Sequence, residues 1–274
     1  MEGLSLLFLG LTFLLYFDVF FLYLYNFSAK RESIGKAATY AFLAGFLTHT
    51  LSLVFRGIAS GHLPGSAAYE SFSVAAWFIT GGFLLVEFRT KKMKVLGLFT
   101  SIVVSVFLVQ AAAKYSAPGP PIPLLKSPLV GLHFTSIGIT VAALTVAGGS
   151  ALLYLLQERQ MKGRKSKILL RRLPSLEVLD EVTYQAIIFG FPFLTLVIVT
   201  GTIQALERWV ISQDIVVLSR LITTGIIWLL YSAYLALRVA AGWGGRKAAL
   251  LALSGFLGLI LIRFIVVPYL SHLV

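Results

Sequence analysis

Four histidines are the residues best equipped for chemistry in this 274-residue chain: His49, His62, His133 and His272. An imidazole ligates transition metals, and two at one level can clamp a haem iron from both sides or hold another metal ion. Histidines at a membrane interface also serve simply as hydrogen-bonding groups, and spacing alone leaves both readings open. Asp18, Arg220 and Arg263 fall inside long apolar runs. A charge in hydrocarbon is costly, so each is a functional candidate by default. Arg220 and Arg263 read as lying towards the outer side, where they snorkel or meet a carboxylate; Arg263 equally suits an interhelical contact. Asp18 reads as a contact within the bundle or a capped acid. There is no cysteine, which removes disulfides, thiol redox relays and thiolate metal or haem attachment. No nucleophile–base arrangement, phosphate-cradling glycine loop or metalloprotease motif is present.

The elements that must position these residues are membrane spans. Hydrophobic residues make up 58% of the chain and charged residues 12%; a soluble domain carries roughly twice that charge. Continuous apolar runs of about 20 residues recur along the whole length. Lipid leaves a choice of helices or a closed barrel, and a barrel reads as short alternating segments, so the fold class is all-α. The spans are placed at Leu4–Tyr25, Ala37–Phe55, Ser71–Phe88, Val95–Ala113, Leu129–Leu156, Tyr184–Leu206, Val216–Leu237 and Ala248–Leu270. This predicts one polytopic transmembrane domain over residues 1–274. Met1-Glu2-Gly3 has no basic leader segment, so the first run is read as a retained span.

Loop charge gives the spans a direction. The first, third, fifth and seventh loops hold 17 of the 23 Lys and Arg residues. The positive-inside rule makes these loops cytoplasmic and turns both termini outward. All four histidines then fall in the outer half of the membrane or beyond it. The fifth loop is strongly basic, with Arg159, Lys162, Arg164, Lys165, Lys167, Arg171 and Arg172. Topology and anionic-lipid contact account for such a loop; a docking surface for a soluble partner is the sharper reading. The net charge of +12 sits in these short loops, not on a soluble face, so nucleic acid is not an expected partner. Leu173 to Asp180 reads as a short amphipathic piece on the membrane surface. Tyr115, Trp209 and Tyr269 suit interfacial belts. Gly81-Gly82 and Gly148-Gly149 suit close helix packing. No internal repeat stands out, and only Pro192 and Pro268 interrupt spans, so an inverted-repeat transporter gains no support.

Several stretches, in order, resemble one family. They are Arg56-Gly57-Ile58-Ala59-Ser60-Gly61-His62-Leu63-Pro64 followed by Tyr69-Glu70-Ser71, and Leu132-His133 leading to Tyr154-Leu155-Leu156-Gln157-Glu158-Arg159. Leu173-Pro174-Ser175-Leu176-Glu177 with Leu179-Asp180 follows, then Gly190-Phe191-Pro192, Tyr231, Tyr234-Leu235, Gly242-Trp243 and Gly245-Arg246. Together, from about residue 45 to the C-terminus, these resemble the cytochrome c assembly family, the CcsA/HemX-like membrane proteins.

The resemblance implies haem b as cofactor, with His133 and His272 at the positions of two outward-facing axial ligands. Arg56, Arg263, His62 and Trp209 become site-lining residues, the arginines as partners for propionates. Haem-handling members carry a WGxxWxWDxxE signature between the sixth and seventh spans and a further histidine in the seventh. Here Trp209 is followed by Val210-Ile211-Ser212-Gln213-Asp214, and Ala236 stands at the in-membrane histidine. The chain is therefore more similar to the HemX-like branch, which lacks the signature, and a full haem-lyase activity is not expected. The implied setting is a bacterial cytoplasmic (inner, plasma) membrane. The implied role is cytochrome c biogenesis or haem metabolism, with other assembly proteins or a soluble haem-biosynthesis enzyme as partners. A non-catalytic regulator of glutamyl-tRNA reductase abundance is the alternative, and a small-molecule transporter the third.

Overall fold

The computed structural model describes residues 1–29, 31–65, 67–90, 93–117, 127–163, 173–212 and 215–266. All regular elements among these residues are helical. They are α1 (Glu2–Ala29), α2 (Glu32–Ser60), α3 (Ala68–Thr90), α4 (Lys94–Ala113), α5 (Pro128–Gly163), α6 (Leu176–Ser212), α7 (Ile215–Ala240) and α8 (Gly245–Leu261). A π-helical turn, Ile262–Val266, continues α8. Each of the eight is long and apolar enough to cross a bilayer, so the all-α membrane architecture expected from hydropathy is the one observed. Continuous helix satisfies in place the backbone groups that hydrocarbon cannot.

Three details differ from expectation. The stretch from Leu176 to Asp180 is no separate surface piece: it forms the first turns of α6, which runs unbroken to Ser212. Ser175 starts it by accepting the Val178 N–H on its hydroxyl at 3.4 Å, a helix-capping contact. Pro192 lies inside that continuous helix and does not end it. Asp18, expected within the bundle, is exposed on α1, because the inward face of that helix is taken by Thr12, Tyr16, Val19 and Tyr23.

By internal contacts the chain divides into two units, Met1–Phe134 with Arg171–Pro174, and Thr135–Leu170 with Ser175–Val274. In the first, α1 packs on α2 and α4, and α3 packs on α4 and α2. The α1–α2 pair is antiparallel and pinned by hydroxyls: Ser5 and Ser52 each donate to the other's carbonyl at 3.0 and 2.8 Å. Thr12 meets Thr48 at 3.1 Å and Tyr23 meets Thr39 at 3.2 Å. Aromatic edges fill the centre, Tyr16 on Phe42 at 5.1 Å and Tyr23 on Phe83 at 6.0 Å. Gly97 of α4 is what lets Tyr23 through: a Cβ there would stand 2.5 Å from the Tyr23 ring and 2.8 Å from Phe83. Gly97→Val is expected to destabilise the chain by about 1–3 kcal/mol through overpacking, read as a lowered melting temperature in detergent.

In the second unit α6, α7 and α8 pack on one another. Gly148 of α5 admits the Phe256 ring of α8, Gly190 of α6 abuts Ala143 of α5, and Gly255 of α8 faces the Tyr231 ring of α7. These contacts match the close approach expected at Gly148; Gly81 likewise faces the Phe46 ring.

Candidate functional site

The polar chemistry of the first unit concentrates where α2 ends and α3 begins. Gly61 closes α2 in the left-handed region at φ 70°, with its N–H on the Gly57 carbonyl at 2.9 Å, the usual use of a glycine at a helix C-terminus. The following loop then returns over Arg56. The Arg56 Nε donates to Glu70 Oε1 at 2.7 Å, and the two side chains are 3% and 2% exposed. Glu70 Oε2 accepts the N–H groups of Gly65 at 3.0 Å and Ala67 at 3.4 Å. Arg56 Nη2 donates to the Ser116 carbonyl at 3.0 Å, beyond α4, while Nη1 is buried and has no hydrogen-bond partner among the described residues. Ser71 donates to the Gly65 carbonyl at 2.8 Å. Tyr69 and Tyr115 lie against the guanidinium, at 5.0 and 6.0 Å, a cation–π arrangement. Tyr115 donates to Glu2 Oε1 at 2.7 Å. Burial first, then the Glu2 hydrogen bond and charge, push its phenol up to about 12. The Arg56…Tyr69-Glu70-Ser71 pattern is thus a device that ties α2, α3, their loop and the segment after α4 together. Arg56, expected opposite a propionate, meets the carboxylate of Glu70.

The same loop reaches the start of α5. A Cβ at Gly131 would stand 3.7 Å from Leu63 Cδ1, and one at Gly65 3.5 Å from the Phe134 ring. His133 lies between those two helix positions, half-buried, its ring edge-on to Phe134 at 6.0 Å. His62 immediately precedes Leu63, so the structure brings the His62 loop against the turn that carries His133. The His62 Nδ1 lies 2.9 Å from the Leu63 carbonyl. A carbonyl only accepts, so Nδ1 carries the proton and Nε2 of the neutral ring keeps its lone pair. His49 is different: it is fully buried, its Nε2 is 2.9 Å from Ser73 Oγ, and its ring sits edge-on to Tyr16. His272 lies outside the described residues, as do Arg164, Lys165, Lys167, Arg171, Arg172, Pro268 and Tyr269. Trp209 belongs to α6, but its side chain is outside the described set.

In the second unit a second clamp joins three helix ends. Arg238 of α7 donates to Asp180 Oδ2 at 2.6 Å and to the Trp243 carbonyl at 3.0 Å. Asp180 Oδ1 accepts the Gly245 N–H at 3.1 Å. Gly245, which starts α8, needs the left-handed region at φ 64°, where glycine carries no Cβ penalty. The Arg238 guanidinium also lies 5.0 Å from the Tyr184 ring. Glu158 of α5 takes Lys162 at 2.7 Å and Arg246 at 3.8 Å; Arg159 and Lys162 are exposed. Arg263 sits in the π-helical turn, half-buried, within Coulombic range of Arg220. π-Helical turns often occur at functional sites. Among the described residues no group of three His, Asp or Glu could hold a metal ion. The sequence pointed to Arg56 but not to Glu70 as its anion, nor to the Arg238–Asp180 pair. For Arg56 and Glu70 the available signal was opposite charges bracketing a Gly- and Pro-containing turn.

Eight helices long and apolar enough to cross a bilayer, with two ion-pair clamps at helix ends, define a polytopic helical membrane protein. Residues 65–274 match the family model described as cytochrome C assembly protein, and the chain belongs to that family. It is 32% identical to the cytochrome c biogenesis protein CcsA of Prochlorococcus marinus (strain MIT 9301), over 81% of this chain and 78% of that protein. It is 30% identical to the protein of that name from Prochlorococcus marinus subsp. pastoris, over 92% and 88% of the two chains. With the one from Chlamydomonas reinhardtii it shares 34% identity, over 76% of this chain and 59% of that one.

Proposed function

We propose that the chain binds haem b at the outer face of a bacterial cytoplasmic membrane and serves cytochrome c assembly through that binding. His133 and His272 are the proposed axial ligands. The observation that carries the reading is His133 itself: a half-buried imidazole in the opening turns of α5, beside a loop whose His62 presents an Nε2 lone pair. The donor set suits the group, because neutral imidazole nitrogen is a common ligand of haem iron. Haem, when bound, would supply an iron open to imidazole ligation. His133 and His272 would hold the iron, and an arginine would meet the propionates. Arg263 is the proposed propionate partner; Arg56 is paired with Glu70. With a single Trp209 where the Trp-rich segment of haem-handling relatives would stand, the proposal stops at binding and handover and assigns no ligation of haem to apocytochrome.

Haem added to the purified full chain is expected to give a Soret band. His133→Ala and His272→Ala are each expected to weaken binding by about tenfold or more. Absence of haem uptake by the wild-type chain removes the reading.

A second reading, the HemX-like regulator, is favoured by the exposed Arg159 and Lys162 at the end of α5. On that reading the Arg159–Arg172 segment holds a soluble haem-biosynthesis enzyme. Neutralising the segment is expected to abolish partner recovery in a pull-down while leaving the haem spectrum intact; unchanged recovery rejects it.

A further inference from the structure

We infer that the outward face of α1 is a docking surface for a transmembrane helix of another protein, one that carries a Lys or Arg near mid-membrane. The inference starts from Asp18. The helix spans 28 residues, about 42 Å at the usual rise, which puts Asp18 about 4 Å from its midpoint. In a hydrocarbon layer about 30 Å thick the nearest interface is then about 11 Å away. An aspartate side chain is too short to reach it, unlike the long stems of Lys and Arg. The packing of α1 on α2 and α4 uses the opposite side of the helix, through Thr12, Tyr16, Val19 and Tyr23. Asp18 is exposed and makes no hydrogen bond or ion pair with the described residues. A carboxylate so placed is strongly disfavoured unless a cation or donor meets it.

The surface around it has the form of a helix seat. Leu7, Gly10, Leu14, Phe17 and Phe21 lie on the same exposed side. A Cβ at Gly10 would meet nothing within 4 Å, and small residues of this kind let a second backbone approach closely. A second copy of this chain is a poor occupant. Residues 3–29 contain no Lys, Arg or His, and a two-fold contact through this face would set like charges together or leave both unpaired.

The test is photocrosslinking of the full chain in its native membrane, with p-benzoylphenylalanine in place of Phe21. The expected adduct contains a heterologous peptide, an apolar run of about 20 residues with Lys or Arg near its centre. Asp18→Leu is expected to cut its yield about tenfold or more. Asp18→Lys combined with the reverse change in that peptide is expected to restore it. In the isolated, detergent-purified chain Asp18→Leu is expected to leave the melting temperature unchanged or raised. An adduct between two copies, a captured helix without a central cation, a yield indifferent to Asp18, or no adduct overturns the inference. So does a lowered melting temperature of the isolated Asp18→Leu chain, which would make Asp18 a support of this chain's own fold.

Discussion

Glu70→Ala is expected to lower the stability of the purified chain by about 3–5 kcal/mol, the range for removing one partner of a buried ion pair. The Arg56 guanidinium would stay buried with its main anion gone; its side chain is 3% exposed in the present fold. Its remaining hydrogen bond, to the Ser116 carbonyl, is to a neutral acceptor and does not compensate the charge. The backbone N–H groups of Gly65 and Ala67, which Glu70 accepts, would lose their acceptor in the same step. Glu70→Gln keeps a carbonyl oxygen for one of those donors but not the charge, so it should fall between wild type and alanine. The double variant Arg56→Met, Glu70→Met removes both charges and should be less harmful than either single change. That ordering separates the cost of an orphaned charge from the net worth of the pair. The measurement is the melting midpoint in detergent. The loop is also expected to loosen, so amide exchange at Gly65 and at the first turns of α5 should rise in Glu70→Ala. If the haem reading holds, haem affinity should fall alongside, because the loosened loop is the one that packs against the turn bearing His133.

The helices were legible because hydropathy reports directly on the solvent a segment prefers. Their ends were not. Glu32, Lys36, Arg56 and Lys162 fall outside the apolar windows yet continue the helices, since a helix keeps its backbone bonds after it leaves the lipid. The joining of Leu176–Asp180 to α6 was hidden for the same reason: an amphipathic pattern marks a helix but not whether it is continuous with the next span. The facing of Asp18 was hidden too. Whether a residue looks inward depends on which side of α1 receives α2 and α4, and an almost wholly apolar helix carries little periodic signal to say so. The histidines divide along this line. Spacing and loop charge only predict His62 and His133 on one side of the membrane; the packing of the His62 loop against the turn bearing His133 needed the folded chain, and the tautomer of His62 needed the carbonyl of Leu63 to be placed. The clamps needed folding back of the chain. Arg56 and Glu70 are separated by a loop that must reverse at Gly61, and Asp180 and Arg238 are 58 positions apart.

Asp180→Ala is expected to cost about 2–3 kcal/mol, less than Glu70→Ala. The Asp180 and Arg238 side chains are 20% and 17% exposed, so water partly replaces what is lost. A charged hydrogen bond of this kind contributes about 1.5–3 kcal/mol, against about 0–1 kcal/mol for a surface pair. The local effect should be sharper than the global one. Asp180 Oδ1 is the acceptor for the Gly245 N–H that opens α8, one of the donors a helix start leaves without an intrahelical partner. Amide exchange at Gly245 should therefore accelerate in Asp180→Ala and change little in Asp180→Asn, which retains an acceptor oxygen. Arg238→Lys tests the other half. A single ammonium cannot hold Asp180 and the Trp243 carbonyl in the geometry of a two-pronged guanidinium, so it should recover only part of the stability. Equal exchange at Gly245 in all three variants would show that the loop before α8 is held by its own backbone, through the Trp243 N–H on the Leu237 carbonyl at 3.1 Å, and not by the aspartate.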